Sequence, residues 1–380
     1  MEIHKELELQ STGDKIEHNS HSTISDTEQP QHARFREYKW WIRVSFYIIF
    51  VVIGQSAATL LGRLYFDKGG NSKWMATFVQ SAGFPVLLPI MFYFHAKFSN
   101  HDSSKTKPKL STLASIYLVL GLVLVGDNMM YSYGLLYLSV STYSLLCGTQ
   151  LVFNAIFSFF FNSQKFTALI FNSIVLLTMS ASLLAVNVDS ENLVGVSREK
   201  YIIGFFCTIG ASAVFSLNLS LTQHCFEKVI KKNSFSVVLD MQFYTAFVAT
   251  CACVVGLFAS GEWKTLHTEM KDYQKGKVAY IMNLLWTALS WQIFSIGMLG
   301  LIFEVSSLFS NVISTMALAI IPILAIVFFH DNINGVKVIA MLLALWGFIS
   351  YIYQHYLDDK KSKANKSDRV EVSRGEIEIC

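Results

Sequence analysis

The sequence predicts an all-α membrane protein of ten transmembrane helices, arranged as two inverted five-helix repeats. Three observations predict it. Of 380 residues, 53% are hydrophobic and 15% are Asp, Glu, Lys or Arg, against about 25% charged residues in soluble domains. The charge gathers near the termini and in short loops, which leaves apolar runs of the length a helix needs to cross hydrocarbon. A short motif then recurs halfway along the chain.

The apolar windows place helices at 41–62, 74–96, 112–136, 141–161, 166–186, 201–224, 236–259, 278–300, 305–328 and 335–355. Residues 137–139 join the third helix to the fourth, and residues 301–304 join the eighth to the ninth. Residues 1–38 are polar and contain no apolar core of a signal peptide, so the first spanning helix is expected to direct insertion. Arg34, Arg36, Lys39, Arg43, Lys97, Lys105, Lys107, Lys109, Lys165, Lys228, Lys231 and Lys232 fall on one side, with the basic C-terminal tail. The excess of Lys and Arg makes that side cytoplasmic, and both termini with it. The expected organisation is a disordered cytoplasmic tail at 1–38, a first repeat at 39–186 and an extracytoplasmic loop at 187–199. A second repeat at 200–358 and a cytoplasmic tail at 359–380 complete it.

The repeat rests on Val140-Ser141-Thr142 and Val305-Ser306-Ser307, each followed about a span later by paired phenylalanines, Phe160-Phe161 and Phe328-Phe329. Five helices per half is an odd number, so the halves enter the membrane in opposite senses. Inverted repeats are a transporter device, with the solute site near the midplane between them.

Composition also excludes functions. A net charge of +3 gives no surface for nucleic acid. Five of the six cysteines lie in or beside apolar runs and the sixth is Cys380, so neither a disulfide framework nor a metal site is expected. No glycine-rich nucleotide loop and no nucleophile–base pair appears, so neither an ATP-driven pump, an enzyme nor a cofactor is expected. The expected partners are the bilayer, a small solute and protons. A non-transporting receptor is the remaining rival, disfavoured by the even helix count.

Polar residues at membrane depth mark the candidate site, because each must find a partner or face water. Asp127 and Asn128 lie mid-span in the third helix, with Tyr131 one turn on along the same face. A carboxyl there either carries a proton between the two sides or joins helices by a static hydrogen bond. Tyr143, Cys147, Gln150 and Asn154 form a stripe on the fourth helix. Its amides either read the edge of a heterocycle or tie helices together. Trp291 and Gln292 offer a stacking face beside an amide in the eighth helix. Gln80 precedes Gly83, Pro85 and Pro89, which predicts an irregular second helix, at a cavity or merely kinked. Glu304 is read as the start of the ninth helix, either favoured there by the helix dipole or acting at a gate or in proton coupling.

These residues also carry a resemblance. Gly54-Gln55-Ser56, Leu60-Leu61-Gly62-Arg63-Leu64-Tyr65 and Gly69-Gly70-Asn71-Ser72-Lys73-Trp74 resemble the plant purine permease family of the drug/metabolite transporter superfamily. So do Gln80-Ser81-Ala82-Gly83-Phe84-Pro85, Gly126-Asp127-Asn128, Tyr131-Ser132-Tyr133-Gly134 and Ser141-Thr142-Tyr143-Ser144-Leu145. The match continues through Trp291-Gln292, Glu304-Val305-Ser306-Ser307-Leu308-Phe309-Ser310-Asn311 and Tyr353-Gln354-His355, and covers about 39–358. The resemblance implies ten helices and proton-coupled uptake of purine bases, cytokinins or similar small N-heterocycles, at the plasma membrane. Other heterocycles, such as an alkaloid or a vitamin, are its alternative. The chain departs from the family at Ser139, Ala168 and Ala319, where prolines are usual. Their loss predicts straighter, stiffer fourth and ninth helices.

Overall fold

The computed structural model describes residues 38–98, 110–162, 167–186, 197–230, 235–330 and 334–378. The expected N-terminal tail to residue 37, and residues 187–196 of the expected loop, lie outside them. The chain divides into two compact units, Met1–Phe46 and Tyr47–Cys380. The described part of the first is a short helical stretch in which Trp40 and Trp41 meet edge to face. The second holds the features below.

No strand occurs among the described residues. Helix α1, Tyr38–Asp67, ends at Gly69, whose φ of 107° only glycine adopts freely. The Gly70 N–H then returns to Tyr65 O at 2.9 Å, closing the helix end. Helix α2, Lys73–Ser81, starts at the N-cap Ser72, whose hydroxyl accepts from Met75 N. It stops after nine residues, passes through a tight turn at Phe84–Val86 and resumes as α3, Leu87–Phe98. Gly83 and Pro85 account for the interruption.

Helix α4, Leu110–Tyr137, is unbroken. The next span is divided into α5, Val140–Cys147, and α6, Gln150–Asn162, by a tight turn at Gly148-Thr149. Helices α7, Ala168–Val186, α8, Arg198–His224, and α9, Phe235–Ser260, follow. After α8 a wider turn covers Cys225–Ile230. A short helix α10, Leu266–Asp272, precedes α11, Lys277–Glu304, α12, Ser307–Phe329, and α13, Gly335–Glu378. With α2–α3 and α5–α6 each taken as one broken span, nine segments among the described residues are long and apolar enough to cross a membrane. Helix α7 contributes a shorter apolar segment, Ala168–Leu184.

Several expectations are corrected. The stiff, straight fourth helix breaks mid-span without any proline. Its start is fixed by Ser139, which stands in the proline position and caps α5: its hydroxyl accepts from Thr142 N at 3.3 Å and from Lys337 Nζ at 3.2 Å. Residues 301–304 are no linker, because α11 runs through them. Glu304 is therefore the last residue of α11 rather than the first of the next helix, and the favourable dipole argument fails. The true N-cap of α12 is Ser306, bonded by Phe309 N at 3.1 Å. Residues 359–378, placed in the C-terminal tail, continue α13 as helix, and no proline interrupts them.

Close packing depends on small residues, since lipid provides no hydrophobic drive between helices. A methyl group built at Gly54 of α1 would stand 2.6 Å from Phe294 N of α11, and one at Gly297 of α11 would stand 2.8 Å from Tyr47 O of α1. The two backbones interlock. Gly83 fits as closely, 2.5 Å from Ala288 O of α11, which presses the α2–α3 break onto that helix. A methyl at Gly126 would meet nothing within 4 Å. We therefore expect Gly54→Ala to destabilise the protein by about 1–3 kcal/mol through overpacking. Gly126→Ala should gain up to about 1 kcal/mol of helix propensity. Melting curves of both variants check this, and equal shifts would show that the interlock carries no strain.

Candidate functional site

A cavity of about 120 Å³ lies among α1, α2, α4, α5, α6, α8, α9, α11 and α12. The two broken spans both contribute to it, Gln80 from just before one break and Cys147 and Gln150 from either side of the other.

One wall is aromatic. The rings of Trp291 and Phe294 meet edge to face at 5.4 Å, and Phe294 stacks with Phe215 at 6.5 Å. Phe215 meets Tyr131 at 6.4 Å, and Tyr131 meets Tyr143 at 6.0 Å. All five rings line the cavity, so the arc presents π-faces and edges to whatever enters.

The rest of the lining mixes aliphatic side chains, among them Leu124, Met241 and Met298, with polar groups. Gln80 Nε2 donates to Ser132 Oγ at 2.9 Å, Asn128 O at 3.2 Å and Ala76 O at 3.3 Å. Two of these are carbonyls that can only accept, so the amide cannot be reversed. Its Oε1 is left as an acceptor with no partner among the described residues. Asp127 Oδ1, Asn218 Oδ1 and Thr245 Oγ1 line the same cavity in the same condition. Unmet polar atoms in a buried site are costly, and four around one cavity point to a polar occupant. Among the described residues, the lining contains one carboxyl and no Lys, Arg or His.

Of the residues singled out in the sequence, Gln80, Asp127, Asn128, Tyr131, Tyr143, Gln150 and Trp291 are brought together here. Gln150 also binds the bundle. Its Nε2 donates to Ser314 Oγ at 3.0 Å and Thr315 Oγ1 at 3.2 Å, and Ser314 Oγ donates on to Gln55 Oε1 at 3.1 Å. Its carbonyl accepts from Ser216 Oγ and Asn311 Nδ2. Helices α1, α6, α8 and α12 meet at this one residue.

Three residues lie elsewhere. The Gly148-Thr149 turn breaks the continuous stripe, and Asn154 is fully buried outside the cavity wall. Its Oδ1 accepts from Ser220 Oγ at 3.3 Å and its Nδ2 reaches Ser307 O at 3.5 Å. Gln292 packs against Gly83 at the α2–α3 break. Glu304 sits at the end of α11, away from the lining. Sequence reasoning passed over Gln55, Thr59, Asn218, Gln242 and Thr245, which do line the cavity. Asn218 carried the same signal as the others, a polar residue at mid-span.

Comparison with known proteins gives a family. Residues 42–361 match the family described as purine nucleobase transmembrane transport. Probable purine permease 11 of Arabidopsis thaliana is 54% identical over 346 residues, 91% of this chain and 90% of that protein. Probable purine permease 10 is 56% identical over 340 residues, covering 89% and 86%. Purine permease 21 is 53% identical over 352 residues, covering 92% and 89%; all three are from the same plant. The family and these relatives are transporters rather than enzymes.

The geometry separates the two amides of the fourth span. Asn154→Ala should lower the melting temperature by loss of interhelical bonds worth about 1 kcal/mol, and leave the relative affinities of different ligands unchanged. Gln150→Ala should do both, destabilising the bundle and altering the ranking. Melting curves beside binding of three related heterocycles make the comparison; a ligand-dependent effect of Asn154→Ala would return that residue to the binding wall.

Proposed function

The chain belongs to the purine permease family, whose members carry purine nucleobases across membranes, and from that premise we propose a proton-coupled secondary transporter working by alternating access. Its substrates are purine bases, cytokinins or similar small N-heterocycles, taken up at the plasma membrane with both termini cytoplasmic. The observation that carries this reading is the combination in one intramembrane cavity of an aromatic arc and unpartnered polar atoms at Gln80 and Asp127.

A flat heterocycle matches both walls. Its face stacks on Trp291 and its neighbours, in the way bases stack on aromatic side chains. Its ring N–H and amino groups meet Gln80 Oε1, Asp127 and Asn218 Oδ1, with Asn128, Tyr131, Tyr143 and Gln150 completing the wall. A lining without Lys, Arg or His suits bases rather than phosphorylated nucleotides. Asp127 is the proton carrier of this reading, as the one carboxyl of the lining. Glu304 lies outside the cavity and is given no part.

Helix contacts support two related halves. Helix α4 packs on α8 and α9, and α11 packs on α1 and α2. Helices α5 and α6 pack on α8, while Ser314 of α12 reaches Gln55 of α1. Further pairs are α2 with α9, α5 with α12 and α7 with α13. Exchanging each span for the one five later carries these pairs into one another or into themselves. With five helices in each half, the related halves are inverted, and rocking one against the other exposes the cavity to each side in turn.

Two measurements test the reading. In liposomes with an imposed pH gradient, Asp127→Asn should abolish accumulation of adenine while retaining exchange of labelled for unlabelled base. Unchanged concentrative uptake would remove Asp127 from proton coupling. Trp291→Ala should weaken adenine binding by about 1–3 kcal/mol, the worth of one base–aromatic stack, and Trp291→Phe by much less. Equal affinities in the two variants would reduce the ring to packing.

A further inference from the structure

The segment between α9 and α11 holds two carboxylates that reach across to α1 and α2. Glu269 is buried. It accepts from Tyr65 Oη at 2.5 Å, Tyr280 Oη at 3.0 Å and the Ser72 N–H at 3.0 Å. Glu262 accepts from Ser72 Oγ at 2.7 Å and the Trp74 N–H at 3.1 Å. The N-terminus of α2 therefore ends on two negative charges from a segment about 190 residues away, the arrangement its dipole favours.

The segment also covers the end of α1. Tyr273 Oη donates to Leu64 O at 3.3 Å, and Gln274 N donates to Lys68 O at 3.1 Å. Burial raises the Tyr273 hydroxyl above the usual tyrosine range, which keeps it protonated as a donor. Its two ends are glycines in backbone conformations closed to other residues, Gly261 at φ 77° and Gly276 at φ 85°. A methyl at either would meet nothing within 4 Å, so the dihedral alone requires glycine there.

A second, smaller void of about 20 Å³ separates this cluster from the central cavity. Tyr65 borders it on one side, and Gln80, Tyr131, Tyr143 and Trp291 on the other. Those four also line the central cavity. Two layers thus close this end: a partition made of substrate-wall residues, then the carboxylate cluster, with a gap too small for a base between them.

Building on the transport reading, we propose that residues 261–276 form the gate at this end, with Glu269 as its bolt, and that substrate passes through the void between Gln80 and Tyr65. Opening requires Glu269 to leave Tyr65, Tyr280 and the α2 N-terminus together. Freed of it, α2 can tilt about the α2–α3 break. Gln80 is one residue from the end of α2, so the same tilt parts the inner layer.

The test reads accessibility in the full chain, purified and reconstituted in liposomes. A cysteine placed at Thr287, which lines the void, is exposed to a membrane-impermeant maleimide, and its labelling is measured by mass spectrometry. Thr287→Cys alone should react slowly. Adding Glu269→Gln should speed the reaction by about tenfold, the loss expected for one charge-assisted hydrogen bond, in a protein that still melts cooperatively. Tyr280→Phe should act in the same direction and guards against a misfolded Glu269→Gln. An unchanged rate in both variants, or a faster rate only in a variant that no longer melts cooperatively, would make the cluster a fixed cap and overturn the gate. Labelling needs no purine, so a parent chain that failed to move purines would sink the transport reading without touching this result.

Discussion

Hydrocarbon offers no water to complete a hydrogen bond, so a polar group inside a bilayer is paired within the protein or turned toward a cavity. The arrangement of this protein follows from that constraint. Gln150, Ser314 and Gln55 close a chain of bonds through three helices, with Ser216 and Asn311 on the Gln150 carbonyl. Asn154 and Ser220 do the same one turn away. Four of the unmet buried oxygens, those of Gln80, Asp127, Asn218 and Thr245, share one cavity. Their convergence on one cavity makes these four informative.

Much of this was legible in the sequence because lipid imposes a length and an apolar composition that few other environments do. The helices lie close to where the apolar runs put them, and Gly83 with Pro85 announced the break after α2. The break between α5 and α6 was not legible. Gly148-Thr149 sits in an apolar run with no proline, and its cause is tertiary: the Gln150 carbonyl and amide are held by α8 and α12. The same turn took Asn154 off the stripe that Gln150 shares with Tyr143. Glu304 was misplaced for a related reason. Hydropathy cannot locate a helix end where the apolar run continues through Leu301, Ile302 and Phe303, and the N-cap serine at 306 decides it. Matching the two motifs by sequence pairs Ser139 with Glu304, whereas the caps pair Ser139 with Ser306.

That register shift bears on how the halves relate. In the proposed pairing of the halves, several contact pairs match under the five-span exchange, yet the local chemistry does not. In the first half the span is broken and Gln150 is at the break; in the second, α12 runs unbroken through the equivalent depth and presents Ser314 and Thr315. The two meet at a single node in which one half donates an amide and the other supplies hydroxyls. On the proposed repeat, an asymmetric node of this kind gives the central site a single set of walls.

The carboxylate cluster and the substrate wall are then two ends of one lever. Helix α2 is only nine residues long, about 13 Å at 1.5 Å per residue, and both its ends are specified. Ser72, Glu262 and Glu269 hold the first, and Gly83 lies against the α11 backbone at the second. Between them Thr77 and Gln80 both touch Ser132 of α4, so any tilt of α2 that spares the Gly83 contact must break these bonds. Gln80 is fixed by acceptors that cannot reverse it, and its free oxygen faces the cavity only while α2 stays seated. Occupancy of that oxygen by a ligand and closure at Glu269 therefore draw on the same helix position, which is the physical content of coupling between a binding site and a gate.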